Sequence, residues 1–424
     1  MADPDRSLVV RYLALAAVVL VVVALLVPIG DGLSVAGFFG DKTYLLILQD
    51  NAEIRPTGGL LACVGLLTVH NGAITSLHYY YANSSQLRGT VPLDGPASFT
   101  EFFGVDSARL YDSNVQYNFS SFAPKMQSDF YNATGQKIDG IIAFDLTAVE
   151  AVMNITGPVT ASGEVITSRN VADRLHYDSG IAQGEKTPLT SLLSTLTVDL
   201  ARLILDSSVP QKLAIYTTLQ TLENEGHVLI YPNQGFWFRS TAAETTPPGA
   251  DFISVVDLNL GSQKADFGVN RTIDYHVQVF SDGSAVSTLT LTYSNGCWWD
   301  YNVFSTTLVP PGAELIAVQN TTHAFKGPAV TNGDGFTALS SSLNVSANTT
   351  GSVTYTYTQP NVVSASGIAH HYDLYIQKQA GITSYVLNVS VQLPAGATMI
   401  HAENVGSNQV FNGDAHVSVV YVGG

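Results

Sequence analysis

The sequence predicts an α/β protein in three parts: an N-terminal transmembrane helix, an α/β/α sandwich, and a C-terminal β-sandwich region of one or two units. Three observations predict this. An unbroken apolar run from Tyr12 to Pro28 opens the chain. From Thr43 onward, strand-like apolar runs alternate with segments of helical period, the pattern of helices laid on the faces of a sheet. After Thr245-Thr246-Pro247-Pro248-Gly249 the period becomes two, with apolar and polar residues alternating through Phe252–Leu260, Thr272–Ser281, Ala285–Tyr293 and Val303–Val309.

The first run is at the short end for a helix that crosses a bilayer, and within range. Arg6 and Arg11 precede it, so the positive-inside rule makes 1–11 a cytoplasmic tail and 12–30 the anchor. A tether at 31–41 follows, and the rest lies outside the cell. A cleaved signal peptide is the competing reading, with a small-residue site at Ser34-Val35-Ala36-Gly37. The length of the apolar core favours the anchor.

Residues 42–249 form the predicted α/β/α domain. Tyr44–Leu48 and Leu60–Val69 are too continuously apolar for a half-wet edge and read as central strands. Asn71-Gly72 predicts a tight hairpin that returns Ala73–Tyr81 antiparallel beside the second strand. Helices are expected over Pro96–Phe103, Ser121–Tyr131, Leu146–Asn154, Pro188–Leu205 and Gln211–Glu223, with a buried strand at Ile138–Phe144. The β-sandwich domain is expected over 250–350. Residues 351–424 are a second β unit or a continuation of the sandwich, since Pro394-Ala395-Gly396 echoes Pro311-Gly312-Ala313.

Composition narrows the function. Among 424 residues, 46% are hydrophobic, which is ample for cores; only 18 are Lys or Arg, and the net charge of −16 excludes a nucleic-acid face. Abundant Ser, Thr, Asn and Gly with few charges resembles exported β-rich proteins. Nine asparagines begin Asn-X-Ser/Thr: Asn83, Asn118, Asn132, Asn154, Asn270, Asn320, Asn344, Asn348 and Asn388. That richness points to a glycosylated surface protein, although Ser/Thr-rich loops also generate such triplets freely. Cys63 and Cys297 sit in different predicted domains; a small core residue or a disulfide between them are both open. There is no Walker loop, nucleophile elbow, His-Glu-X-X-His or Cys-X-X-Cys, which disfavours zinc enzymes and serine hydrolases. Asn295-Gly296-Cys297-Trp298-Trp299-Asp300 is a loop with two tryptophans, either packed or a sugar- or lipid-contacting patch.

Between the two central strands lies Asn51-Ala52-Glu53-Ile54-Arg55-Pro56-Thr57-Gly58-Gly59. An arginine at the mouth of an apolar sheet is costly unless an anion meets it. Two readings stay open: a structural ion pair with Glu53 or Asp112, or a site for phosphate.

The string Gln49–Gly59 resembles the signature of a prokaryotic envelope family known as a domain of unknown function, the one numbered four thousand and twelve. Similar strings follow in order: Asp112-Ser113-Asn114, Ile138–Asp145, Thr156-Gly157-Pro158-Val159, Asp257-Leu258-Asn259 and Ile376-Gln377-Lys378-Gln379. The core of that family in turn resembles the LytR-CpsA-Psr phosphotransferases, which move glycopolymers from polyprenyl-pyrophosphate lipids to an envelope acceptor. The resemblance implies a catalytic pair, Arg55 and Asp112. Arg55 would hold phosphate with help from Lys186 and Arg88, and Asp112 would bind a metal, Mg2+, or orient the acceptor hydroxyl. Tyr111 stands where the family more often has a basic residue, which thins the expected cationic pocket.

Two function classes follow. One is a membrane-anchored extracellular protein that binds or transfers polyprenyl-(pyro)phosphate-linked glycopolymers. The other is a non-catalytic, glycosylated surface protein of structural or adhesive role, whose partners are envelope glycans or surface-layer proteins.

Overall fold

The structure is a computed structural model that describes residues 41–70, 73–81, 90–92, 107–117, 119–161, 164–174, 199–200, 202–204, 206–231, 249–260, 264–322, 328–333 and 335–424. The predicted membrane helix and tether, Arg88, Lys186, Asn83 and Asn118 lie outside these residues. Among the described residues no helix is long and apolar enough to cross a membrane.

The first module is built on one sheet. Its strands are β1 (Asp41–Asp50), β2 (Leu60–His70), β3 (Ala73–Tyr81), β6 (Gly140–Asp145) and β9 (Val228–Tyr231), in the order β3-β2-β1-β6-β9. Short pairs β4 (Thr90–Pro92) with β5 (Ser107–Arg109), and β7 (Val159–Ala161) with β8 (Glu164–Ile166), stand apart from it. β1 is buried on both faces because its side chains alternate between two cores. Tyr44, Leu46 and Leu48 meet α2 (Leu146–Thr156) and α3 (Val209–Asn224) on one side. Leu45 and Ile47 meet Phe122, Met126 and Phe130 of α1 (Phe119–Thr134) on the other. α2 starts where the Asp145 carboxylate accepts the Ala148 N–H at 3.1 Å, and ends at Gly157 with φ 94°.

The second module is a sandwich of two sheets. One contains β10 (Asp251–Asn259), β13 (Tyr301–Val309), β15 (Ala329–Gly333), β16 (Phe336–Val345), β18 (Val363–Ser366), β19 (Ala369–Gln377), β21 (Thr398–Glu403) and β23 (Ala415–Val422). The other contains β11 (Val269–Val279), β12 (Ala285–Asn295), β14 (Glu314–Asn320), β17 (Thr350–Gln359), β20 (Tyr385–Gln392) and β22 (Gly406–Phe411). The period-two alternation of β11, β12 and β17 buries one side of each strand in the shared core. β10 runs parallel to β19, and β11 to β20, so residues before and after 350 share both sheets.

The fold class therefore needs correction. The described residues are mostly β, not α/β: strands predominate from 251 to 422, and among the described residues the first sheet has a single parallel pair, β1 with β6. Its other pairings are antiparallel. An α/β/α sandwich of the expected kind needs repeated helical crossovers between parallel neighbours. Here hairpin-type antiparallel pairing takes their place.

Candidate functional site

The loop between β1 and β2 is a compact turn. Glu53 N–H donates to Asp50 O (3.1 Å), Gly58 N–H to Arg55 O (2.9 Å) and Leu60 N–H to Glu53 O (3.0 Å). The Asn114 amide braces it from the turn beyond β5, donating to Gly59 O at 2.8 Å and to Thr57 Oγ1 at 3.0 Å. Gly58 sits at φ +127°, and a Cβ there would lie 2.3 Å from Gln49 Oε1, so glycine is required.

Arg55 is 7% exposed. Its guanidinium donates to Glu53 Oε1 at 2.8 Å, to Asp112 Oδ1 at 3.3 Å and to the Asn259 carbonyl at 2.6 Å. Both anions that the sequence offers as structural partners thus meet it at once, and the third partner comes from β10 of the sandwich. Burial raises the Glu53 carboxyl above its ordinary range, against the opposing pull of Arg55 and Lys264. Glu53 is buried, whereas Asp112 is half-exposed.

Around this pair the sandwich closes on the loop. Asn259 N–H donates to Ile54 O at 3.0 Å, Asp266 N–H to Ala52 O at 3.0 Å, and Ile54 N–H to Asp266 Oδ2 at 3.0 Å. Lys264 pairs with Asp50. Gln379 threads the junction: its amide donates to Arg55 O (2.9 Å) and Asp257 O (2.8 Å), and its carbonyl accepts Asp257 N–H (2.8 Å). Next to it Gly381 N–H donates to Gly226 O (3.1 Å) and Gly381 O accepts from the Asn51 amide (3.1 Å). The strings around 49–59, 112–114, 257–259 and 376–379, far apart in sequence, therefore converge on one junction.

Behind Gln379 lies a second buried layer. Arg271, on β11, bonds Asp257 (2.9 Å), Asp266 (2.5 Å) and the Tyr301 hydroxyl (2.9 Å). The Tyr293 hydroxyl adds a bond to Asp257 at 2.7 Å. Lys378 is buried and donates to the carbonyls of Gln379 and Ile382; desolvation pushes its amine down to about 8. A shallow cleft beside it is lined by Arg271, Thr292, Tyr293, Lys378 and Tyr385. On the far side of the inserted loop, His227 bonds Asp145 at 2.6 Å, both fully buried.

Arg55 and Asp112 are thus brought together as expected partners, but in an ion pair whose other contacts are protein groups. No cluster of three or more His, Cys, Asp or Glu among the described residues could hold a metal ion, and Asp112 has the Arg55 guanidinium as its neighbour. Arg88 and Lys186 fall outside the described residues. Sequence reasoning missed Arg271, Asp266, Lys264 and Lys378. Arg271 did carry a signal: on a strand of alternating pattern it occupies the inward register of Val269, Ile273 and Tyr275. Lys264 carried none, since its partner Asp50 lies 214 residues away, and nothing local marked the Asp266 bond to Ile54, 212 residues away. Among the described residues neither Cys63 nor Cys297 is in a disulfide, and both are buried.

Comparison with known proteins adds the following. No curated protein matches the chain. Solved structures give faint likenesses: a putative nutrient binding protein from Legionella pneumophila (10% identity, 41% of this chain and 71% of that one, TM-score 0.25) and an M1 zinc metallopeptidase from Deinococcus radiodurans (12%, 37% and 42%, TM-score 0.22). The gbs0355 protein of Streptococcus agalactiae is a third (11%, 45% and 69%, TM-score 0.28). Scores this low carry no argument about fold or activity, and the resemblance to LytR-CpsA-Psr enzymes has no support among them. The sequence match is of another kind, because it covers the Arg55 loop, the Asp112 turn and both central strands. Residues 40–179 match the model of the family described as "Protein of unknown function (DUF4012)".

Proposed function

We propose that this protein is a non-catalytic, glycosylated cell-surface protein of structural or adhesive role, in which the family's signature loop seats the β-sandwich rigidly on the first module. The observation that carries the reading is Arg55. It is buried, and its guanidinium is engaged by Glu53, Asp112 and the Asn259 carbonyl. A phosphate would have to displace the Glu53 carboxylate, already desolvated with its partner, which costs more than an exposed site would. The surface placement draws its support from the nine sequons and the low charge density. Transfer of lipid-linked glycopolymers needs a cation turned toward the ligand, and Arg55 is turned toward the sandwich.

Arg55→Ala tests this. It strands the Glu53 carboxylate and the Asn259 carbonyl in the interior, at a cost of about 3–5 kcal/mol. Thermal unfolding should fall by on the order of 10 °C. The intact protein should not retain a polyprenyl-pyrophosphate analogue above background. Tight retention that the variant loses while its melting temperature holds would overturn the proposal in favour of glycopolymer transfer.

A further inference from the structure

Trp298 is 86% exposed, the most exposed large hydrophobic side chain among the described residues. Its loop is nevertheless firmly built. Asn295 accepts the Cys297 N–H at 2.9 Å and donates to the carbonyls of Trp299 (2.9 Å) and Val345 (3.1 Å), while Gly296 N–H bonds Gly268 O at 2.8 Å. A rigid loop that holds an indole in water is a platform awaiting a cover.

The nearest turn supplies one. Asn348 N–H donates to Cys297 O at 3.2 Å, which sets Asn348 across from the residue that precedes Trp298. Asn348 opens the triplet Asn348-Thr349-Thr350, is exposed, and is held in the left-handed region at φ 57°. Its turn is fixed by Thr349 bonding Ser346 O at 2.8 Å, Asn295 N–H bonding Thr349 O at 2.9 Å, and Ala347 N–H bonding Asp300 at 3.0 Å. No hydrogen bond engages the Asn348 side-chain amide among the described residues. By contrast, the amides of Asn320, Asn344 and Asn388 donate to Ser342 O, Asn302 Oδ1 and Asp274 Oδ1.

We propose that Asn348 carries an N-linked glycan whose first sugar ring lies on the Trp298 indole. The co-reactant is a phosphate-activated sugar donor presented by a glycosyltransferase. The Asn348 Nδ2–C1 bond forms as the C1–O bond to phosphate breaks; phosphate leaves with that electron pair, and the amide gives up one proton. The apolar face of a pyranose matches the exposed ring. Its hydroxyl edges match polar residues of the same turn and loop, Ser346, Thr349 and Asp300, all exposed. The proposal rests on the surface placement above and adds to it a particular site and a particular contact.

The experiment uses full-length protein from its native host. Mass spectrometry of the peptide around Asn348 should show it occupied. Asn348→Asp removes the acceptor amide while keeping a residue that tolerates the left-handed backbone. It should lower the melting temperature by roughly 2–4 °C, a shift corresponding to about 1 kcal/mol. It should also move tryptophan emission to longer wavelength. In a Trp298→Ala background the same substitution should do neither, which separates stacking from turn strain, since strain persists in both backgrounds. Equal shifts in the two backgrounds overturn the stacking. A bare Asn348 overturns the proposal while other sequons occupied would leave the surface reading intact; all sequons bare would sink both.

Discussion

A buried arginine is tolerated only where its donors find fixed acceptors, and Arg55 finds them in two modules at once. The pair with Glu53 is worth little as net stability, because desolvation offsets attraction; its effect is to make any other arrangement of the loop costly. The same logic at single residues decides which sequons can be used. Asn132, Asn154 and Asn270 are exposed. The amides of Asn320, Asn344 and Asn388 are already donors inside the sandwich surface. Glycopeptide mapping should find the first three occupied and the last three largely bare. Full occupancy at Asn344 would show that its bond to Asn302 does not hold.

At the scale of elements, the decisive piece is the short loop from β19 to β20. Ala380 packs against the core of the first module, and Gly381 lies so close to Gly58 that a Cβ on it would be 1.8 Å from the Gly58 oxygen. Gly381 also has φ +82°. Gly381→Ala should therefore unseat the loop and destabilise the protein by several kcal/mol, of the order seen for overpacked or strained sites. Unchanged denaturant midpoints would mean the loop is not the fastening. Lys378 gives this element a pH signature. Its amine is lowered to about 8 in the fold, against an ordinary 10.5. Between those values the unfolded chain binds the extra proton, so stability rises with pH across that window and the gain is lost as pH falls through about 8. The rise amounts to at most about 3 kcal/mol. Lys378→Met should flatten it in unfolding curves taken from pH 7 to 9.5. Parallel curves would show the amine to be solvated.

At the scale of the molecule, the domain boundary expected near Gly249 separates two halves that share the Lys264–Asp50 ion pair, the Arg55 hydrogen bond to the Asn259 carbonyl and the loop from β19 to β20. Calorimetry of the intact chain should show one transition for the described modules, because parting them leaves buried hydrogen-bonding groups of the junction unpaired. Two resolved peaks would mean the junction contributes little.

What the sequence determined by itself was local. Continuous apolar runs made β1 and β2 central, period-two alternation made β11, β12 and β17 faces of a sandwich, and Asp145 before an amphipathic segment started α2. Arg55 with Glu53 and Asp112 was legible as one of two alternatives, since a buried cation needs an anion and the nearest candidates were in view. The direction in which the Arg55 guanidinium points was not legible. Only the tertiary structure decided that, by bringing Asn259 and Gln379, more than 200 and 300 residues away, onto the loop. The mostly β class was likewise a tertiary outcome. An apolar run is equally content beside a parallel or an antiparallel neighbour, and the choice rests on pairings such as β6 with β9 that no local pattern encodes.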